Sequence, residues 1–310
     1  MGDDPFDRNF DPPVGRAEQL APGLRRLVAP NASPMTFRGT NTYLLGEAEI
    51  AVIDPGPADP VHLAALRAAV GDMRRISHIL VTHSHLDHSP MAAPLARECD
   101  APVLALGDSA AGRSSRMTRL AAKFSLGGGE GVDAAFAPTR NLRDGEVVAT
   151  GEWALTALAT PGHFGNHLCF AWGETGGVFS GDHVMSWATT LVSPPDGDLG
   201  AFMRSLKKMG ARRQDRHYFP GHGAVLQDPH GMIAHQTQHR QMRESQILAA
   251  LASGAATPRA LAARIYTEVA PALIPAAARN VFAHLLDLTE RNLVAAQPQL
   301  AFDAEFSLIS

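Results

Sequence analysis

The stretch Thr82–His88, THSHLDH, places three histidines and one aspartate within six residues. In an extended segment, residues two apart point the same way, so His83 and His85 are predicted to face one metal ion together. Asp87 and His88 follow after the chain turns and are predicted to face a neighbouring point. This arrangement suits two adjacent metal ions. Imidazole and carboxylate ligands favour zinc, with iron or manganese as alternatives.

The residues on either side place this motif on a strand-to-helix loop. Residues 76–81 are short, mostly apolar and rich in branched side chains, which predicts a buried strand. Residues 89–93 resemble a helix start, with Pro90 suited to the first turn. An α/β sheet usually presents its chemistry at the ends of its strands. A polar loop that is rich in histidine by chance is the alternative, and the spacing after a strand argues against it.

Three further candidate ligands follow short predicted strands, each beside glycine or proline: His163, Asp182 and His222. A lone histidine at a strand end is usually structural. Three ligand-type residues at strand ends, together with the histidine-rich loop, favour one shared site. Asp54 ends an earlier strand, and it either orients the histidine loop as a hydrogen-bond acceptor or serves only the turn. Both interpretations of Asp54 stay open at this stage.

Composition narrows the class of protein. The chain has 310 residues, of which 45% are hydrophobic, so it is long enough for one large domain with a small one attached. The net charge of −4 does not indicate nucleic-acid binding. Two cysteines, Cys99 and Cys169, predict no disulfide framework. The acidic N-terminal residues resemble no signal peptide and no apolar run is long enough to span a bilayer, so we expect a cytoplasmic enzyme without membrane attachment.

The pattern divides the chain into three parts. Residues 1–22 lack periodicity and are predicted to be an arm on the surface, and residues 23–228 alternate strands and helices. Residues 229–310 are predicted to hold a linking helix and a small domain of helices and a hairpin, which is the outline of a winged helix. The helices predicted in this last part are 230–252, 258–266 and 275–291.

An insertion is predicted at residues 107–131. Arg113, Arg116, Arg119 and Lys123 recur there at near-helical spacing, before a loop with three consecutive glycines. The basic face either steers an anionic substrate or is simply a solvated charged face, and the second interpretation is favoured.

With these residues in place, the chain resembles the metallo-β-lactamase-fold hydrolases over about residues 20–228. The HxHxDH, TPGH, SGD and GH segments come in the family's order. The resemblance implies an αββα sandwich. It also implies a ligand set in two groups joined by a bridging carboxylate: His83, His85 and His163 for one metal, Asp87, His88 and His222 for the second, and Asp182 between them.

The resemblance also bears on chemistry. Zinc β-lactamases place a cysteine in the second metal site. In this chain the resemblance puts Asp182 at the corresponding position, so β-lactam hydrolysis is disfavoured. Two cations that share a water lower its pKa towards about 7, and the resulting bridging hydroxide attacks an acyl carbon or phosphorus. Asp87 is predicted to orient this hydroxide and is our catalytic candidate. His167 and His183 are expected to support the ligands or to touch substrate, although a structural role for His167 is equally favoured.

These considerations predict a binuclear metal-dependent hydrolase that acts on an acyl (thio)ester or a phosphodiester. The tail is similar to that of the lactamase-beta-like branch, some members of which cut single-stranded RNA, and glyoxalase II is a thioesterase cousin. An iron-dependent redox enzyme of the same fold is the alternative. The substrate is expected to be a small molecule or a single-stranded nucleic acid. The neutral C-terminal part predicts no duplex-DNA binding and is expected to shape the substrate entrance or to pair in a homodimer.

Overall fold

A computed structural model of the chain describes residues 5–123, 131–173 and 175–309. In these residues two β-sheets face each other and helices cover their outer faces. The strands are β1 (Glu18–Ala21), β2 (Leu24–Val28), β3 (Asn41–Leu45), β4 (Ile50–Ile53), β5 (Ile76–Leu80), β6 (Val103–Ala105), β7 (Arg140–Asn141), β8 (Val147–Ala149), β9 (Ala154–Ala159), β10 (Leu168–Trp172), β11 (Gly177–Gly181), β12 (His217–Pro220), β13 (Val294–Gln297) and β14 (Glu305–Leu308). The helices are α1 (Pro60–Val70), α2 (Ala92–Cys99), α3 (Ser115–Lys123), α4 (Leu199–Gly210), α5 (Pro229–Leu251), α6 (Pro258–Ile265) and α7 (Ile274–Glu290).

The first sheet contains β1 to β7 in chain order, and the second has the order β12-β11-β10-β9-β8. Strands β1 to β4 pair antiparallel, whereas β4, β5, β6 and β7 pair parallel. In the second sheet β11 and β12 are parallel and are connected through α4. Parallel neighbours bring their carboxyl ends to one edge, so the segments that follow β4 and β5 lie together in the first sheet and those that follow β11 and β12 lie together in the second.

Strand β4 shows why the central strands are apolar throughout. Ile50 and Val52 pack towards α1 and α2, while Ala51 and Ile53 pack between the two sheets. Successive side chains of a strand point to opposite faces, and here both faces are buried, so the usual alternation with polar residues disappears. Helices α4 and α5 cover the outer face of the second sheet. The predicted αββα sandwich is therefore confirmed.

The C-terminal part has its own core, built from α6, α7 and the β13–β14 hairpin. Val281 and Phe282 of α7 are fully buried there against Phe306 of the hairpin. Helix α5 belongs to both cores, because Met232 lies in the core of the sandwich and Leu251 in the C-terminal core. The predicted winged-helix outline is confirmed, and we call residues 252–309 the C-terminal module.

The predicted arm at 1–22 is joined to the sandwich. Its residues Glu18–Ala21 form the edge strand β1, and the Phe10 side chain is buried with the Arg26 guanidinium 4.5 Å from its ring centroid. Among the described residues, the helices are too short or too polar to cross a bilayer.

The prediction of a solvated or substrate-steering basic face in the insertion is wrong for Arg113 and Arg116, because both are paired with carboxylates. Arg113 pairs with Asp196 at 2.8 Å, and Arg116 pairs with Glu290 at 2.9 Å and donates to the Leu286 carbonyl oxygen at 2.6 Å. Helix α3 therefore docks onto the C-terminal module through Arg116, and its Met117 and Leu120 side chains lie in that module's core. Arg113 precedes the helix and pairs with a loop of the sandwich instead. The glycine loop predicted at 127–129 lies outside the described residues.

Candidate metal centre

Asp54 organises the segment that carries the histidine motif. It follows β4 with a φ of 51°, a left-handed conformation that aspartate tolerates in turns. Its carboxylate accepts hydrogen bonds from the Thr82 amide and hydroxyl, both at 2.7 Å, and from His88 Nδ1 at 2.9 Å. The sequence left two interpretations of Asp54 open, and both apply. Asp54 makes the turn, and it also orients the motif.

The first cluster joins three imidazole rings. His83 Nε2 lies 3.0 Å from His85 Nδ1, which lies 3.1 Å from His163 Nε2. His163 comes from the loop after β9, so the cluster joins the first sheet to the second. His163 Nδ1 donates to the carbonyl oxygen of Leu191 at 2.7 Å. That hydrogen bond leaves the lone pair of Nε2 directed at the cluster.

The second cluster joins Asp87, His88 and His222. Oδ2 of Asp87 lies 3.2 Å from Nε2 of each histidine. The Thr40 hydroxyl donates to the same carboxylate oxygen at 2.9 Å, and His222 Nδ1 donates to the carbonyl oxygen of Gly39 at 3.2 Å. Each ring thus has its Nδ1 engaged elsewhere and presents Nε2 to the cluster.

Asp182 lies between the two clusters. Its Oδ2 is 3.6 Å from His163 Nε2 and 3.4 Å from His222 Nε2, and its Oδ1 is 3.6 Å from His88 Nε2. His167 accepts a hydrogen bond from the Asp182 amide at 3.2 Å. The position of Asp182 fits the bridging role that the resemblance implies, and His167 supports its backbone.

The charge states of the two clusters differ. Burial lowers the pKa of His83 well below its usual range and that of His85 to about 3, so both rings are neutral. Burial would also lower the pKa of His222, but the carboxylate of Asp182 and that of Asp87 raise it to about 10. The second cluster therefore attracts positive charge, which a metal cation also supplies.

Unpaired buried atoms show that the side chains fit such cations. Asp87 Oδ1 and Asp182 Oδ1 are buried, and the described residues offer them no hydrogen bond. The buried Nε2 atoms of His88 and His222 face the Asp87 carboxylate at 3.2 Å. Buried polar atoms without partners are rare in proteins. Tetrahedral zinc with bonds of about 2.0–2.1 Å places its ligand nitrogens about 3.3 Å apart, close to the spacing in the first cluster. The described residues thus include groups able to hold metal ions, in trios whose ligand atoms lie within 4.8 Å of one another.

His183 belongs to neither cluster, and its ring lies 6.1 Å from that of His167 between centroids. Its ring packs against the edge of Phe202 at 5.0 Å between centroids, and burial lowers its pKa to about 3. Sequence reasoning missed Thr40, Asn166 and the two backbone carbonyls that orient histidines. Asn166 accepts from the Ser84 amide at 3.3 Å and donates to the Ser84 hydroxyl at 3.0 Å, so it fixes the middle of the motif. Its place shortly after a predicted strand end was the available signal.

A cavity of about 260 Å³ opens beside the clusters. His163 and Asp182 lie on its floor, and most of its walls are apolar. The sandwich and the C-terminal module both contribute wall residues. The larger apolar and aromatic wall residues are Met35, Met185, Trp187, Leu191, Tyr266, Val269 and Leu273.

Comparison with known proteins agrees with this architecture. The profile of the Metallo-beta-lactamase superfamily matches residues 35–222, and that of the Beta-lactamase associated winged helix domain matches residues 257–301. An atrochrysone carboxyl ACP thioesterase of Paecilomyces divaricatus is 31% identical over 246 residues, or 77% of this chain and 68% of that protein. A lactamase-like protein of Pestalotiopsis microspora is 28% identical over 242 residues, or 77% and 67% of the two chains.

A solved structure gives the same result for the fold. The crystal structure of a metallo-beta-lactamase family protein from Thermus thermophilus covers 94% of this chain and 100% of its own, with a TM-score of 0.75 and 24% identity. The sandwich, the C-terminal module and the profile matches agree over most of the chain. The protein is therefore an enzyme of the hydrolytic metallo-beta-lactamase superfamily, with a beta-lactamase-associated winged-helix domain.

Proposed function

We propose that this protein is a binuclear metal-dependent hydrolase that cleaves acyl thioesters. The observation that carries the proposal is the position of Asp182 between two ligand clusters, beside a mostly apolar cavity. His83, His85 and His163 would hold one ion, Asp87, His88 and His222 the other, and Asp182 both. Zinc fits these nitrogen and oxygen donors best, with iron or manganese as alternatives. Two such ions, when bound, lower the pKa of a water and polarise a carbonyl group.

Asp87 is the residue we assign to the attacking water. Its Oδ2 faces the histidines, while the described residues offer its buried Oδ1 no hydrogen-bond partner. Burial would raise the pKa of Asp87, but the neighbouring His88 and His222 hold it well below its usual range. The carboxylate is therefore ionised and can accept a hydrogen bond from the water, which orients the oxygen towards the acyl carbon.

The cavity favours an acyl group over a polyanion as substrate. In the part of the chain that the structure describes, its lining contains neither lysine nor arginine. Apolar walls bind a hydrocarbon or ring system and exclude water from it. A thiol of pKa about 8.5 also leaves readily as the thiolate, so no strong general acid is required. The thioesterase name of the Paecilomyces divaricatus relative supports the same bond type.

A hydrolysis screen tests this proposal. Metal-loaded protein would be offered a set of acyl thioesters, the matched oxygen esters, a phosphodiester, single-stranded RNA and a β-lactam. We expect thioester cleavage, detected by thiol release, to be fastest and to be lost on chelation or in Asp87→Asn. Faster cleavage of RNA or of the phosphodiester would instead favour the nuclease alternative. Oxidation of a thiol substrate with consumption of oxygen would favour the iron-dependent redox alternative.

A further inference from the structure

Residues 190–192 form a short loop against the metal centre. The Leu191 carbonyl accepts the hydrogen bond of His163 Nδ1 at 2.7 Å. The Thr190 hydroxyl donates to the carbonyl oxygen of Asp182 at 3.0 Å and to that of His183 at 3.1 Å. This loop therefore holds both the ring of His163 and the backbone of Asp182.

Two side chains from α5 and α7 hold the loop in turn. The Arg240 guanidinium, on α5, donates to the Thr190 carbonyl oxygen through Nη2 and to Asn280 Oδ1 through Nη1, the latter at 3.0 Å. Asn280, on α7, also accepts from the Val192 amide at 3.1 Å. The residues on both sides of Leu191 are thus fixed by groups that lie outside the two sheets.

Arg240 is an unusual residue for a protein interior. It is 2% exposed, its two recorded hydrogen-bond acceptors are uncharged, and burial lowers its pKa to about 10. Burying a cation among uncharged groups costs free energy that an apolar side chain of the same size does not cost. A planar guanidinium can, however, span two acceptors at a set separation. The local structure uses that geometry to join Thr190 to Asn280.

A second contact leads from Arg240 to the same ligand. Its guanidinium lies 5.5 Å from the ring centroid of Phe202 on α4. Phe202 in turn packs against Gly162, where a Cβ atom would come within 2.3 Å of the Phe202 Cα. Gly162 directly precedes His163, so Phe202 packs against the backbone beside this ligand.

We propose that Arg240 and Asn280 are positioning residues of the metal centre, which set the Leu191 carbonyl and through it the tautomer and direction of His163. The proposal rests on the proposed function only in that His163 binds a metal ion. It assigns α5 and α7 a role in metal affinity, in addition to the wall of the cavity that α7 helps to form.

Arg240→Met tests the arginine, because methionine fills much of the same volume without the two donors. The control is Arg243→Met on the same helix, where the guanidinium lies 4.2 Å from the Tyr266 ring and bonds Gln246. Zinc affinity of the full-length chain would be measured by competition with a chromogenic chelator. We expect Arg240→Met to weaken one of two bound zinc ions about tenfold, since loss of an outer partner of a ligand typically costs 10–100-fold. Wild-type affinity for both ions in folded Arg240→Met would overturn the proposal.

A rescue experiment at Asn280 separates positioning from general packing. Asn280→Asp keeps the acceptor for Arg240 and Val192 and should retain zinc affinity within about threefold, whereas Asn280→Leu should lose about tenfold. In metal-free protein with ¹⁵N-labelled histidine, His163 should show a single Nδ1-protonated tautomer that is lost in Asn280→Leu but kept in Asn280→Asp. Equal zinc affinity and equal His163 signals in the two Asn280 variants would refute the proposal even if Arg240→Met does not fold. None of these readouts needs a substrate, so failure of the thioesterase proposal would be recognised separately.

Discussion

Replacing Asp54 with asparagine should damage both metal clusters, although Asp54 contacts no metal-facing atom. The Asp54 carboxylate accepts three hydrogen bonds, two from Thr82 and one from His88 Nδ1. An asparagine amide can accept at only one of its two terminal atoms. If its nitrogen replaces Oδ2, it faces His88 Nδ1–H and forces the proton of that ring onto Nε2, the atom directed at the second cluster. If its nitrogen replaces Oδ1, it faces the Thr82 amide, donor against donor.

The effect should reach the first cluster through Thr82. The hydroxyl of Thr82 donates to Asp54 and lies 2.9 Å from His83 Nδ1, from which it can accept. An amide nitrogen at the Oδ2 position would donate to this hydroxyl, turn its proton towards His83 and disfavour the tautomer that presents Nε2. Loss of such an outer partner typically weakens metal binding 10–100-fold, which is about 1.4–2.7 kcal/mol. We expect a loss in this range for each ion.

Zinc titration against a chelator, with total metal determined by elemental analysis, measures the two affinities. Asp72→Asn is the matched control, because the Asp72 carboxylate caps a short 3₁₀ turn at the surface and accepts its hydrogen bonds from Arg74 rather than from a candidate ligand. Asp54→Asn should fold like this control but bind both ions more weakly. Two ions bound with unchanged affinity by Asp54→Asn would refute the hydrogen-bond argument.

Three other predictions rest on single contacts. Asp182→Asn should weaken both ions together, because its carboxylate faces histidines of both clusters, and loss of one ion only would argue against bridging. Burial lowers the pKa of His62 from 6.5 to about 4, so between these values the unfolded chain binds a proton that the folded protein does not. In metal-free protein, this difference should lower the free energy of unfolding by about 2 kcal/mol as the pH falls from 7.5 to 5. Urea unfolding of His62→Gln should lack this part of the acid sensitivity, and an unchanged pH dependence would contradict the assignment. Arg116→Met should lower the unfolding free energy by about 1 kcal/mol and leave the salt dependence of KM unchanged, because Arg116 pairs with Glu290. Arg119→Met, at an exposed position, should change neither the unfolding free energy nor the salt dependence of KM. A salt-dependent rise in KM would restore the steering interpretation.

The sequence predicted much of the candidate site because metal ligands are side chains of a few recognisable residue types. His163, Asp182 and His222 each follow a strand and a glycine- or proline-containing turn, and parallel or facing strands bring such ends together. The hydrogen-bond partners that orient these ligands were not predictable in the same way. The acceptor for His163 is a main-chain carbonyl of Leu191, and every residue type carries that group. Its importance arises only from the tertiary position of the loop.

Arg116 shows the same limit for charge patterns. Its near-helical spacing from Arg113 predicted a shared basic face, but Arg113 precedes α3 and pairs with Asp196. The spacing also contained no information about Glu290, 174 positions away, which pairs with Arg116. Arg240 was likewise indistinguishable from a surface arginine, since residues 235–246 of α5 are polar except for Met242. Helical periodicity identifies which residues share a face, whereas the partner of that face depends on how distant segments pack.

The ligands of the metal centre come from both layers of the sandwich, which has a consequence for the lifetime of the protein. The motif after β5 belongs to the first sheet, while His163, Asp182 and His222 follow strands of the second. Each cluster combines residues from both layers, so an ion bound by either cluster would act as a removable cross-link that exists only when the layers are together. At a free metal concentration 100 times the dissociation constant, such binding adds about 2.7 kcal/mol to the free energy of unfolding. Cellular metal supply would then set how often the layers separate. Metal starvation would raise the unfolded fraction and thus the rate of proteolysis, even while the protein is still synthesised at its normal rate.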